Sequence, residues 1–242
     1  MTGFDIAIGE FFGTMVLILM GNGVVANVAL ARSKGRDGGW IVVAAGWGVA
    51  VAIAVYVAGW VAGGHINPAV TLAMYLQGKT AIDVVPFYLL GQFAGAMAGA
   101  ALVWLTYLAH WRETGDSDAK LACFATIPAI RNPFANLMTE IIGTALLVLG
   151  VLGIAHSQNG IGAGMGPYLV GMLVFGIGLS LGGPTGYAIN PARDLGPRIA
   201  HALLPIAGKG SSDWSYAWIP VLGPMIGAPI GVVLYRLIPG AL

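Results

Sequence analysis

Six stretches of the chain run long and apolar with little charge. They cover residues about 6–30, 40–62, 84–109, 135–155, 167–182 and 216–238. A helix needs roughly 20 mostly apolar residues to cross a bilayer, so the pattern predicts six transmembrane helices. The fifth is the shortest and ends at Gly183-Pro184. The first lacks a basic leader and carries Asp5 and Glu10. It is therefore expected to be a retained span and not a cleaved signal. Two further segments, residues 63–77 and 185–204, are fairly apolar but interrupted by Pro and Asn, and too short to span. They are expected to be re-entrant half-helices, buried in protein or lining a watery cavity.

Composition sharpens this reading. Of the 242 residues, 57 % are hydrophobic and 9 % charged, and mean hydropathy is +0.83. Soluble chains carry about 25 % charge, so a cytosolic enzyme and a disordered chain are both excluded. The net charge of +1 gives no basic surface for nucleic acid. The single cysteine, Cys123, excludes an intrachain disulfide and a multi-cysteine metal site. The 38 glycines are about twice the soluble share and suit close helix contacts in lipid.

The chain repeats itself. Glu10-Phe-Phe-Gly-Thr14 opens the first span and Glu140-Ile-Ile-Gly-Thr144 the fourth. Asn67-Pro68-Ala69 lies between spans two and three, and Asn190-Pro191-Ala192 between spans five and six. Gly91, Gly95 and Gly99 in span three match Gly223, Gly227 and Gly231 in span six. Each half thus holds three spans and one half-helix. Three is odd, so the second half enters the membrane upside down, as an inverted repeat. The expected organisation is a single channel domain: repeat one about 1–110, a linker loop about 111–133 and repeat two about 134–242.

Proline suits the first turn of a helix, and Asn before it can cap that helix. Asn67 and Asn190 are therefore expected to start two short helices. The inverted repeat aims their positive dipole ends at each other near the bilayer midplane, an electrostatic barrier to cations. The Asn amides can donate to whatever passes. In soluble proteins Asn-Pro is usually only a turn, but two symmetry-related copies carry more weight. Glu10 and Glu140 lie in apolar stretches, where a carboxylate is costly and has partners. Each is expected to accept hydrogen bonds from the non-helical loop of its own half. The rivals are a solvated interfacial position and a proton relay.

Gly64-His-Ile-Asn-Pro-Ala-Val-Thr71 and Gly186-Tyr-Ala-Ile-Asn-Pro-Ala-Arg-Asp194 resemble the two signatures of the aquaporin and glycerol-facilitator family. The resemblance covers nearly the whole chain. It implies an all-α membrane protein of six tilted helices and two half-helices, one pore per subunit and four subunits per assembly. Asp194 with Arg198 four residues on, and Pro220, resemble the glycerol-conducting branch. The resemblance further implies that Trp47, Gly178, Tyr187 and Arg193 form the narrowest ring. Phe is commoner than Tyr at the Tyr187 position in that branch. His65 is implied to line or brace the pore. Such a ring suits a polyol: Gly178 leaves room, Trp47 and Tyr187 offer an apolar corner, and Arg193 offers donors. An ion would lose its hydration there without replacement.

The leading expectation is a passive channel for glycerol and other small uncharged solutes, with water co-permeating and no cofactor. Undissociated lactic acid as main solute is the near alternative, and a water-selective channel a further one. A secondary transporter would need a coupling residue, for which only Glu10 and Glu140 present themselves. No nucleophile–base or metal constellation suggests an enzyme. His65, His110, His156 and His201 share no metal-binding spacing, and the glycine-rich run 160–166 lacks a P-loop Lys. Residues 112–120 read as a solvated loop. The implied location is a bacterial inner membrane with cytoplasmic termini. Loop charges oppose that orientation. Lys79 and Arg236 are on the inner side, while Arg32, Lys34, Arg36, Arg112, Lys120, Arg131 and Lys209 are on the other.

Overall fold

The computed structural model describes residues 2–162 and 164–241. The elements in chain order are α1 (Gly3–Ala29), α2 (Trp40–Ala62), α3 (Pro68–Leu76), α4 (Val85–Thr106), α5 (His110–Glu113), α6 (Ser117–Ala122), α7 (Pro133–Ile154), α8 (Met165–Leu181), α9 (Pro191–Leu203) and α10 (Ile219–Arg236). Among the described residues there is no strand. Five of the helices, with 18 to 27 residues, are long and apolar enough to cross a bilayer, and α8 follows with 17. These are the six expected spans, with ends shifted by a few residues. The half-helices α3 and α9 fall within the two interrupted segments.

Local chemistry sets the helix starts. Thr2 and Asp5 form a capping box at α1. Asn132 caps α7 just before Pro133. Asn67 and Asn190 cap α3 and α9, each with Pro at the first turn.

The glycine rows explain how the helices approach. A Cβ on Gly95 would strike the carbonyl oxygen of Phe11, and one on Gly99 that of Met15. In the second half, Gly227 faces the carbonyl oxygen of Ile141, and Gly231 that of Ala145. Phe11 and Ile141 each follow the motif glutamate by one residue, and Met15 and Ala145 by five. The repeat is thus one of backbone contact as well as of sequence. Without glycine, α1 could not meet α4 this closely, nor α7 meet α10. Gly48 and Gly171 do the same between α2 and α8, where the two repeats meet.

The half-helices are exchanged between repeats. The second half-helix, α9, packs on α4, while α3 packs on α10. Gly196 of α9 abuts the Ala96 methyl. The core therefore belongs to both halves at once. Outward faces carry exposed apolar side chains such as Phe4, Trp60, Leu90 and Ile142, as a lipid-facing surface requires.

The expected solvated stretch at 112–120 has exposed Arg112, Glu113, Asp116 and Asp118, but Lys120 needs correction. The stretch contains parts of α5 and α6, and Lys120 is only 3 % exposed. The Lys120 ammonium donates to the carbonyls of Ala207 (2.6 Å) and Gly208 (3.1 Å). Those acceptors lie about 90 residues away in sequence, so local polarity gave no sign of them.

Candidate functional site: the pore and its ring

Each half-helix is reached through a loop in a left-handed backbone conformation. Ile66 (φ 47°) and Ile189 (φ 42°) both stand just before the capping Asn, and Tyr187 (φ 39°) is close by. A β-branched residue avoids this region, at a cost of order 1–3 kcal/mol. The motif glutamates offset it. Glu10 Oε1 accepts from His65 N (2.8 Å), and Oε2 from Ile66 N (2.6 Å) and Gln92 Nε2 (2.7 Å). Glu140 Oε1 accepts from Ala188 N (3.0 Å) and Thr185 Oγ1 (2.7 Å), and Oε2 from Ile189 N (2.7 Å). Each carboxylate thereby satisfies two backbone N–H groups of the turn, which would be costly to leave unpaired in a buried loop. Both carboxylates are 0 % exposed, which removes the solvated interfacial reading.

The strained isoleucines turn their carbonyls across the midplane. Asn67 Nδ2 donates to Ile189 O (2.8 Å), and Asn190 Nδ2 donates to Ile66 O (2.8 Å). Meanwhile Asn67 Oδ1 accepts from Ala69 N (2.9 Å), and Asn190 Oδ1 from Ala192 N (3.0 Å) and Arg193 N (3.2 Å). The two helix N-termini are thus tied by a symmetric pair of bonds. Each amide retains one N–H for the lumen, because the other is held by the opposite half. Pro68 and Pro191 sit at the first turns, and Ala69 and Ala192 are fully buried.

A cavity of about 150 Å³ runs past both asparagines. Trp47, Tyr187 and Arg193 lie on its wall, as do His65 and apolar residues such as Leu17 and Val174. A second cavity of about 450 Å³ shares Val55, Gly63, Val151 and Val170 with the first. It opens beside Ala155, His156, Ser157, Ile161 and Gly162. His65 stacks on Tyr88, with ring centroids 4.2 Å apart. Its Nδ1 lies 3.2 Å from Thr71 Oγ1. The Thr71 hydroxyl donates to Asn67 O (3.2 Å) and accepts from Gln92 Nε2 (3.0 Å). Assigned from this network, Nδ1 carries the proton and Nε2 is an acceptor.

At the ring, the Arg193 guanidinium lies over the Trp47 indole, 3.9 Å from its centroid. The planar cation stacks on the ring face. Gly178 is not on the cavity wall. A Cβ there would meet Tyr187 Cζ and OH at 2.7 Å and Ala44 Cβ at 3.1 Å. The expectation that Gly178 leaves room for solute is therefore corrected: the space holds the hydroxyl end of Tyr187. That hydroxyl is buried without a hydrogen-bond partner. Trp40, absent from the sequence reading, braces both residues. Its Nε1 donates to Gly178 O (2.8 Å), and its ring meets Tyr187 edge to face at 5.8 Å.

Asp194 and Arg198 are both 0 % exposed and pair at 2.8 Å. Asp194 Oδ2 also accepts from Thr126 N (2.7 Å) and Oγ1 (2.6 Å), and Arg198 Nη2 donates to Thr126 O (3.0 Å). The pair clamps the linker loop and does not line the cavity. Asp194 and Thr71 occupy matching positions four residues after their asparagines. The halves differ there because one faces the loop and the other the His65 network. The same holds for Gln92 and Pro224, one residue after matching glycines. Proline has no side-chain donor for Glu140, and Thr185 supplies one. Gln92 and Thr185 carried no local signal, but the repeat alignment points to a missing donor. Among the described residues no group of three or more His, Cys, Asp or Glu could hold a metal.

Residues 3–235 match the Major intrinsic protein family. The chain is 59 % identical over 232 residues to a probable glycerol uptake facilitator protein of Thermotoga maritima, covering 96 % of this chain and 98 % of that one. It is 53 % identical over 228 residues to the glycerol uptake facilitator protein of Bacillus subtilis, covering 94 % and 82 %. Among solved structures, the aquaglyceroporin of Plasmodium falciparum superposes with a TM-score of 0.87 at 28 % identity, covering 98 % of this chain and 97 % of that one. With the inverted helical repeat and the paired Asn-Pro-Ala turns already in place, these likenesses show that the chain belongs to the Major intrinsic protein family.

Proposed function

We propose that this integral, multi-pass membrane protein is a passive channel for glycerol and other small uncharged solutes, through which water also passes. It is a channel and not an enzyme, in keeping with its family. The observation that carries the reading is the two-sided lining of one cavity. Leu17, Val51, Val55 and Val174 form an apolar wall, while Asn67, Asn190 and Arg193 bring donors. A linear polyol has a hydrocarbon edge and a hydroxyl edge, and matches both. In this reading Trp47, Tyr187, Arg193 and, behind Tyr187, Gly178 form the selective ring. The asparagine pair with the two half-helix dipoles excludes cations and hydronium. Glu10 and Glu140 have full sets of donors and stand off the cavity wall. A coupled transporter therefore loses its two candidate coupling groups.

Undissociated lactic acid is a second solute of the same ring. The Arg193 guanidinium on the cavity wall can serve its carbonyl oxygen as donor, as it would a polyol hydroxyl. The anion would shed its hydration opposite one guanidinium. We further read the 242 residues as a single channel domain, since the half-helices are exchanged between repeats. Four such subunits are expected in a bacterial cell membrane, with cytoplasmic termini. Several of the cations on the outer loops have partners on that side. Lys209 donates to three carbonyls at the end of α9, Arg131 pairs with Asp213 and Arg32 with Glu113. A reporter fused after the last residue is expected inside the cell. Its appearance outside would reverse the orientation.

Stopped-flow light scattering on proteoliposomes tests the function. Glycerol flux is expected to be fast, non-saturating and indifferent to ion gradients. Lactic acid is expected to cross only at low pH. Slow glycerol with fast water would make this a water channel, and a dependence on a sodium or proton gradient would make it a transporter.

A further inference from the structure

Asn22 belongs to no sequence motif, yet it is 0 % exposed in the C-terminal third of α1. Its amide orientation is fixed. Nδ2 donates to the Phe124 carbonyl (3.1 Å), which can only accept. Oδ1 is thereby turned to Arg193 Nη1, at 3.5 Å, the long limit of a hydrogen bond. Among the described residues it is the one hydrogen-bond acceptor that the guanidinium meets. The carboxylate next door, Asp194, is turned away to Arg198 and Thr126. Phe124 is itself fully buried, two residues before the clamped Thr126, so the anchor behind Asn22 does not drift. The preceding residue, Gly21, seats the Trp47 ring, which a Cβ there would strike.

We propose that Asn22 is a positioning residue for Arg193, and that through it α1 sets the ratio of glycerol to water flux. The proposal rests on the ring reading above. Gly21 and Asn22 act as one platform. The first places the indole on which the guanidinium lies, and the second takes one of its N–H groups. The other donors are then held at fixed positions for the hydroxyls of a passing solute. A guanidinium without this acceptor turns about its stem to find lumen oxygens. That narrows the ring for a three-carbon solute more than for water.

The test compares glycerol and water fluxes of the purified full-length protein in proteoliposomes, each per unit of incorporated channel. Asn22→Ser is too short to reach Arg193. Asn22→Asp retains the acceptor. For Asn22→Ser the glycerol-to-water ratio is expected to fall about threefold, the effect of losing one long contact to a charged group. For Asn22→Asp it is expected to stay within about twofold of the parent, because the acceptor persists. If Asn22→Ser fails to fold, Asn22→Leu fills the site without an acceptor and replaces it. An unchanged or increased ratio in the acceptor-free variant overturns the proposal. So does an equal fall in Asn22→Asp, which would mean that Asn22 only supports the loop at Phe124. If the parent protein itself conducts no glycerol, the ring reading fails first, and that result is distinct from both.

Discussion

Glu140→Gln is expected to lower the folded yield sharply and to leave the selectivity of the surviving channels unchanged. The carboxylate has two oxygens, and three donors converge on them from Thr185, Ala188 and Ile189. A carboxamide offers one acceptor oxygen. Its NH2 group then faces a backbone N–H beside a side chain that is 0 % exposed. One unsatisfied N–H and the lost charge assistance together cost about 3 kcal/mol. Glu10→Gln removes an acceptor from His65 N or Ile66 N in the same way, although Gln92 Oε1, now unpartnered, can turn to meet the new NH2 group. The two loops are joined by the Asn67–Ile189 and Asn190–Ile66 hydrogen bonds, so the double variant should lose more than either single one without a simple sum. Against a stability of about 5–15 kcal/mol for many domains, the Glu140 loss alone is large. Detergent-solubilised yield and thermal midpoint measure this. Normal yield and midpoint with altered solute ranking would mean that the carboxylates act on the permeant and not on the loops.

The frame of the fold was legible because lipid imposes simple rules. Charge-free stretches marked the spans. Paired Asn-Pro-Ala turns marked the half-helices, and glycines every fourth residue marked the contacts that Phe11, Met15, Ile141 and Ala145 receive. The ring residues Trp47, Tyr187 and Arg193 were named from resemblance, and they line one cavity. Less legible was whatever depends on a carbonyl or amide brought from far along the chain. Lys120 reads as a solvated charge until Ala207 and Gly208 are placed beside it. Ile66 and Ile189 read as ordinary apolar residues, and nothing local says that their backbones are left-handed. Asn22 reads as one polar interruption in an apolar helix. Its partners are 102 and 171 residues away. Gly178 was read as an open space. A missing side chain says nothing about which neighbour fills the gap, and here Tyr187 does.

That filled gap makes Gly178→Ala the strongest expected change in flux. The new methyl would lie 2.7 Å from both Cζ and OH of Tyr187 and 3.1 Å from Ala44 Cβ. Tyr187 has little room to retreat along the protein side. A Cβ at Gly182 would sit only 2.6 Å from its Cδ1, and the Trp40 ring closes the edge at 5.8 Å. The free direction is the lumen, toward Arg193 and Trp47. Overpacking of this kind costs about 1–3 kcal/mol. Expressed as a barrier to a solute that fills the ring, it slows passage about fivefold to a hundredfold or more. Water is smaller and should lose less, so the glycerol-to-water ratio falls with the glycerol flux. Gly178→His, with a larger ring in the same place, should abolish glycerol passage. Removing the obstructing ring in Gly178→Ala/Tyr187→Ala should restore it. Equal glycerol flux in Gly178→Ala and the parent protein would show that Tyr187 has another direction to move, and that the narrowest point for glycerol lies away from this ring.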